Sequence, residues 1–328
     1  MARTTPPRPV DIAAVFPELA PLARRTVRLH PRLGTPTVRD SSVGGPLLWP
    51  ADEPWPTCTE PHPEDEPPVS PADVRLRRRL IDIGWTGGTR TAQEEAALHA
   101  TYAGHPWSGE PNLLVPVAQL YARDVPGLPC PDGADLLQVL WCPLEHEPEW
   151  MPATRLVWRS SAEVGGVSAV QPEPADVSSH GQYVPEPCVL HPEVVTEYPS
   201  SLELESGLAS RIANWCEQEF TGKDPGYRSA DEFRAYYQFE LSVAPGWKVG
   251  GWGPWSFRDA WVMRCRACES VMNPLLTISS GALDGSGWDP VEDRDADDDI
   301  GIQIGRSYNM QLYYCPVSFD HPHLEVMQ

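Results

Sequence analysis

The chain contains one apolar strand twice. LQVLWCP runs from Leu137 to Pro143, and MQLYYCP runs from Met310 to Pro316. Each is a run of strand-forming residues closed by Cys-Pro, and a proline, having no N–H to give a ladder, stops a strand. The repetition extends upstream. Val43-Gly44-Gly45 is followed after three residues by Trp49, and Val249-Gly250-Gly251 after three residues by Trp255. A third VGG, at Val164, has no such tryptophan, so the tripeptide counts only in company. A cysteine follows each element, Cys58 in one half and Cys265 in the other. Then comes a leucine pair opening an apolar strand, LLVPVAQL from Leu113 and LLTI from Leu275. Four elements kept in one order predict an internal duplication; two copies make a pseudo-symmetric domain and not a solenoid.

The halves differ by insertion. A segment rich in Pro, Glu and Arg (59–110) separates Cys58 from Leu113, where the second half closes the same gap in a few residues. Residues 1–40 read as an N-terminal extension, with a short helix capped by Asp11 and a strand at Thr26–Pro31. Residues 41–165 form a first β unit, 166–245 a linker with helices, and 246–328 a second β unit. The strongest helical pattern lies in SLELESGLASRIANWCEQEF, where Leu208, Ile212, Trp215, Cys216 and Phe220 fall on one face. Asp231–Leu241 predicts a second helix, capped by Ser229 or Asp231. RLRRRL, Arg75–Leu80, reads as a strand with a basic exposed face. The 38 prolines keep elements short. The fold class expected is α+β: internally duplicated, mainly antiparallel β units with a few inserted helices, in one compact domain.

Charge narrows the partners. With 46 acidic and 25 basic side chains the net charge is −21. That disfavours nucleic acid, whose phosphates need clustered Lys and Arg, and favours a basic protein or a metal cation. No apolar run approaches the ~18 residues of a membrane span. The N-terminal stretch is interrupted by Pro17, Glu18 and Pro21, which argues against a secretory leader and for a cytoplasmic protein. Eight cysteines in such a chain read as reduced thiols, not as a disulfide framework.

Two of those thiols form Cys265-Arg-Ala-Cys268, a Cys-x2-Cys turn of the kind that spans one edge of a zinc tetrahedron. A closed zinc site needs two more ligands, and Cys315 with His321 or His323 supplies them if the last strand runs beside the turn. Cys142 with His146, and Cys315 with His321, also have the composition of nucleophile–base pairs, without any local catalytic signature. Glycine-rich phosphate loops, Gly-x-Ser-x-Gly and His-Glu-x-x-His are absent. EDRDADDD, Glu292–Asp299, crowds carboxylates but misses EF-hand spacing, with Asp298 where the turn glycine belongs. Trp49, Trp55, Trp252 and Trp255 flank the glycine pairs and are the candidate binding residues, with core packing as the competing role.

The ordered set VGGPLLWP…WPTC, VGGWGPW…CRACESVMNPLLTI and IGIQIGRSYNMQLYYCP…DHPHLEVMQ resembles the bacterial YwqG-like family, a domain of unknown function. The resemblance covers roughly residues 40–328. It departs where that family carries Gly-Asp-Ala-Gly before the last strand and this chain has DDDIGIQIGRS. It implies an α+β fold and a soluble bacterial protein and, because some members are encoded near toxin systems, a non-enzymatic protein-binding or immunity role; the family supplies no accepted reaction and no catalytic residue list. A zinc- or thiol-dependent enzyme using Cys265, Cys268, Cys315 and His321, and a small-ligand sensor at the seam between the halves, are the alternatives.

Overall fold

The computed structural model describes residues 2–168, 170–221, 230–255, 259–281, 287–293 and 300–328, with backbone alone at 230 and 231. Within them lie two six-stranded sheets, antiparallel at every pairing. The first half supplies β1 (Arg24–Arg28), β2 (Arg32–Leu33), β3 (Ser42–Val43), β4 (Val115–Tyr121), β5 (Leu136–Trp141) and β6 (Thr154–Arg159). The second supplies β7 (Cys188–Val189), β8 (Glu193–Glu197), β9 (Lys248–Gly250), β10 (Asn273–Ser279), β11 (Asn309–Tyr314) and β12 (Leu324–Met327). The fold is α+β.

Strand order runs β2-β7-β3-β4-β5-β6 in one sheet and β8-β1-β9-β10-β11-β12 in the other. The two orders are one plan with an exchange: β1 leaves its own half to sit between β8 and β9, and β7 reciprocally sits between β2 and β3. Residues 1–40 and 166–245 therefore contribute structural strands to both sheets. Registers repeat as well. Val43 faces Ala118 and Ser42 faces Gln119, as Val249 faces Leu276 and Lys248 faces Thr277. Each central pair carries a bulge after a proline, between Pro116 and Ala118 and between Pro274 and Leu276. This register corrects the expected pairing of leucines: Leu275-Leu276 stands where Val117-Ala118 does, and Leu113 corresponds to Val271. Repeated leucines misled because the bulge, not the leucine pair, fixes the ladder. Gly44 and Gly250 both turn the chain out of its strand at positive φ, 59° and 72°, a conformation L side chains rarely adopt.

Apolar residues of both sheets meet in one core. Val117, Leu120, Val139 and Trp141 from one sheet join Val249, Leu276, Ile278, Met310 and Leu312 from the other. Trp141 is fully buried, and its indole N–H donates to the Tyr183 carbonyl at 2.8 Å. A full-width tryptophan is tolerated there because its one polar atom is satisfied.

Helices fill the insertions. α1 (Ile12–Val15) is capped by Asp11, whose carboxylate accepts from the Ala13 and Ala14 N–H groups. α2 (Pro71–Trp85) and α3 (Ala92–Ala100) occupy the 59–110 segment. RLRRRL therefore lies in helix α2 and not on a strand. Ser70 caps it and Pro71 occupies the first turn, the pair of signals that opens a helix. Its arginines do not form a solvated basic face throughout: Arg77 is buried against Thr101 and the Ser179 carbonyl, and Arg78 reaches three carbonyls and Glu186. α4 (Ser206–Phe220) and α5 (Ala230–Tyr236) precede β9. Leu208, Ile212 and Cys216 of α4 pack with Phe233, Tyr236, Ile12 and Leu19 in a separate apolar cluster. The Ser229 cap and residues 294–299 of the acidic stretch lie outside the described residues. Among the described residues no helix is long and apolar enough to cross a membrane.

Candidate metal centre

The hairpin between Arg264 and Val271, which pair as a β-bridge, carries Cys265 and Cys268. The Cys265 N–H donates to the Ser270 carbonyl at 2.9 Å, and the Glu269 N–H returns to the Cys265 carbonyl at 2.9 Å. Glu269 adopts a positive φ of 59° to close so tight a turn. The Ala267 N–H points at Cys265 Sγ, 3.4 Å away. Such a turn fixes two sulfurs on one side with backbone donors aimed at them. Cys315 follows directly on β11, and His321 lies in the loop leading to β12.

The four donor atoms of Cys265, Cys268, Cys315 and His321 all lie within 4.8 Å of one another. Cys268 Sγ is 3.5 Å from Cys315 Sγ, while His321 Nδ1 is 3.3 Å from Cys315 Sγ and 3.6 Å from Cys265 Sγ. A tetrahedral zinc with sulfurs at about 2.3 Å and nitrogen at about 2.0–2.1 Å has sulfur–sulfur edges near ~3.8 Å and sulfur–nitrogen edges near ~3.5 Å. The three separations fall within about 0.3 Å of those edges, and the donor set, three cysteine sulfurs and one imidazole, is one that selects zinc. His323, the other candidate from the sequence, points elsewhere: its Nε2 is 2.8 Å from Thr154 Oγ1 and 3.5 Å from Glu325.

Electrostatics favour the thiolate at two of the three sulfurs. Burial works against ionising Cys315, but the Ser318 and Val317 N–H groups and His321 outweigh it and bring the thiol down to about 6. The Ser270 hydroxyl lowers Cys268, and hydrogen bonding to Cys315 raises His321. Burial raises Cys265. As a nucleophile–base pair, Cys315 and His321 have the required proximity. Cys315 is nevertheless only 1% exposed and hemmed by two further thiols, so a substrate has no path to its sulfur.

The tryptophans of the repeated element wall these sites. Trp255 is buried against Met263, Cys265 and Cys315, and Trp49 against Leu140, Cys142 and Leu144. Trp55 tilts over Trp49 at 5.0 Å and donates to the Leu114 carbonyl at 2.8 Å. Trp252, half-buried, lies under the Arg24 guanidinium, 3.4 Å from its ring centre. Trp49 and Trp255 thus face the interior and present no surface to a partner. The other expected pair also has a third member: His146 Nε2 is 3.7 Å from Cys58 Sγ, and Cys58, Cys142 and His146 bring their donors within 4.8 Å of one another. Cys58 was not legible as a site residue by itself; its match to Cys265 in the repeated order was the available signal.

Between the two clusters runs a cleft of about 420 Å³, lined from both halves by Glu60, Glu147 and Glu149 and by Arg266, His323 and Glu325. Exposed Trp261 stands at its side. Comparison of the chain with protein-family models and with curated proteins returns no match.

Proposed function

We propose that this chain is a zinc-stabilised, non-enzymatic binding protein of the YwqG-like kind, cytoplasmic, whose partner is a basic protein. The observation that carries the metal part is the convergence of Cys265, Cys268, Cys315 and His321 at tetrahedral separations. Four protein ligands close a zinc site and leave no position for a substrate or an activated water, which supports a structural ion. Such an ion would staple the end of β11 to the hairpin ahead of β10. The net charge of −21 and the carboxylate-lined cleft support a cationic partner, since a carboxylate-rich concavity attracts Lys and Arg side chains and the aromatic face of Trp261 adds a cation–π surface.

The test pairs capture with charge reversal. Immobilised wild-type protein should retain a basic protein from a native lysate at low salt, and the Glu147→Lys, Glu149→Lys variant should lose it. Retention unchanged by the reversal, or turnover of a small substrate by the purified chain, overturns the reading. The cleft between the halves also favours a second reading, a small cationic ligand sensed at the seam. Ligand-dependent quenching of Trp261 fluorescence without protein capture would select it.

A further inference from the structure

The first half carries a second cluster at the place corresponding to the first. Ladder register sets the correspondence. Thr57 bridges Leu113 as Arg264 bridges Val271, and the Cys58 N–H donates to the Asn112 carbonyl as the Cys265 N–H does to Ser270. Cys58 therefore holds the position of Cys265. Trp141 pairs with Val115 as Tyr314 pairs with Asn273, so Cys142, one residue on, holds the position of Cys315. His146 enters from the loop after Cys142-Pro143, as His321 does from the loop after Cys315-Pro316.

The donors of the second cluster are arranged for a cation. His146 Nδ1 lies 2.9 Å from the Pro61 carbonyl and donates to it, which turns Nε2 toward the sulfurs. A carbonyl on the far nitrogen is the usual outer-shell partner that fixes a metal-binding imidazole. What the first half lacks is a counterpart to Cys268, because the short hairpin that carries Cys268 is opened there into the 59–110 excursion. His62 stands at the start of that excursion, four residues beyond Cys58. Its ring stacks on Trp107 at 5.5 Å and stands edge-on to His146 at 5.8 Å, and its Nδ1 is buried without a hydrogen-bond partner. A buried imidazole nitrogen with no partner is a group that a bound cation would satisfy.

We propose that Cys58, Cys142 and His146 form a second zinc site, whose fourth position His62 Nδ1, standing outside the 4.8 Å spacing that the other three donors keep, takes by a turn of its ring on binding. The site shares no donor with the Cys265 cluster and stands or falls apart from it, so the protein would carry one zinc ion per repeat. The excursion would then be pinned at its root by the ion, with Trp107, from the returning end of the same segment, stacked against His62.

Elemental analysis of the purified full chain, with the sites removed one at a time, decides this. The wild type should hold about two zinc ions per chain, the Cys265→Ser, Cys268→Ser variant about one, and the Cys58→Ser, Cys142→Ser variant about one. His62→Ala should keep the fold and release its second ion to a chelator at least about 10-fold faster than wild type, since losing even an outer-shell partner costs about 10–100-fold in metal affinity. Should the double variants fail to fold, alkylation mapping on wild type replaces them: Cys58 should be modified only after chelation. A wild-type count of about one that vanishes with Cys265 and Cys268, or Cys58 alkylation at one rate with and without chelator, overturns the proposal. His62→Ala releasing zinc at the wild-type rate overturns the role of His62.

Discussion

Cys268 Sγ lies 3.5 Å from Cys315 Sγ, across the gap between the hairpin and the end of β11, with the two thiols unbonded. Two sulfurs are held a little inside the edge length of a zinc tetrahedron in a place where burial disfavours bare charge. The zinc ion proposed above would relieve that arrangement, and its removal would leave the two sulfurs facing one another with nothing between them. Chelation of the purified protein should therefore lower Tm by several degrees, because an ion at 100 times its Kd stabilises by about 2.7 kcal/mol. Differential scanning fluorimetry with and without chelator checks this, and readdition of zinc, but not magnesium, should restore the transition. An unchanged Tm would sink the assignment.

The same closeness predicts a redox consequence. With metal absent, a thiol oxidant such as diamide should take two electrons and two protons from Cys268 and Cys315, forming one disulfide between them while the diazene is reduced to the hydrazine. Zinc-loaded protein should resist, since ligated sulfur pairs are unavailable as nucleophiles. Peptide mapping should find Cys268 linked to Cys315 or, by exchange, Cys265. A linkage formed equally fast in the presence of zinc would show that no ion is held there.

Lys248 and Glu197 form a fully buried ion pair, Nζ to Oε1 2.6 Å, at the place where β9 and β8 flank the exchanged β1. Lys248 also donates to the Trp252 carbonyl, and Glu197 accepts from the Trp252 and Ala244 N–H groups. Lys248→Met should destabilise the protein by about 3–5 kcal/mol, because it strands a carboxylate away from water. Ala244 donates to Oε1 of Glu197 and Trp252 to Oε2, so adding Glu197→Gln keeps an acceptor for one amide only but removes the stranded charge, the larger cost, and the double variant should be more stable than the single. Urea denaturation of the three proteins measures both steps. A double variant weaker than Lys248→Met would show that the charge itself, not the packing of the pair, holds the exchanged strand.

Much of this was legible in local patterns. The VGG-x3-W element, the terminal Cys-Pro and the apolar face of α4 are set by neighbours in sequence, and each emerges as read. The strand exchange was not legible, since β1 pairing with β9 and β7 with β3 joins residues far apart and leaves no mark on either segment. The arginine run of α2 has a composition that suits either exposed strand or helix, and the deciding signal was Ser70-Pro71 just ahead of it. The Cys265 cluster could be assembled from spacing because a Cys-x2-Cys turn is compact. The Cys58 cluster could not, because the excursion separates Cys58 from Cys142 and only the repeat register reunites them. Family resemblance did not point to either cluster.

His30 offers a pH signature independent of metal. It is buried, at a positive φ of 44°, with Nε2 3.1 Å from Glu193, and burial together with Arg28 holds its pKa down to about 4 in spite of that carboxylate. An unfolded imidazole titrates near 6.5. Above that value the ring is neutral in both states. Between 6.5 and about 4 the unfolded chain takes up a proton that the folded chain refuses, so stability conferred by the neutral ring is lost as pH falls through this window. His30→Asn removes the titration while placing a residue that tolerates left-handed backbone. The difference in unfolding free energy between wild type and His30→Asn, taken at matched zinc loading by urea titration at several pH values, should shrink by a few kcal/mol from neutral pH to pH ~4. A difference that stays flat across the window, or grows as pH falls, would mean that His30 is protonated in the folded protein and that Glu193, not burial, sets its charge.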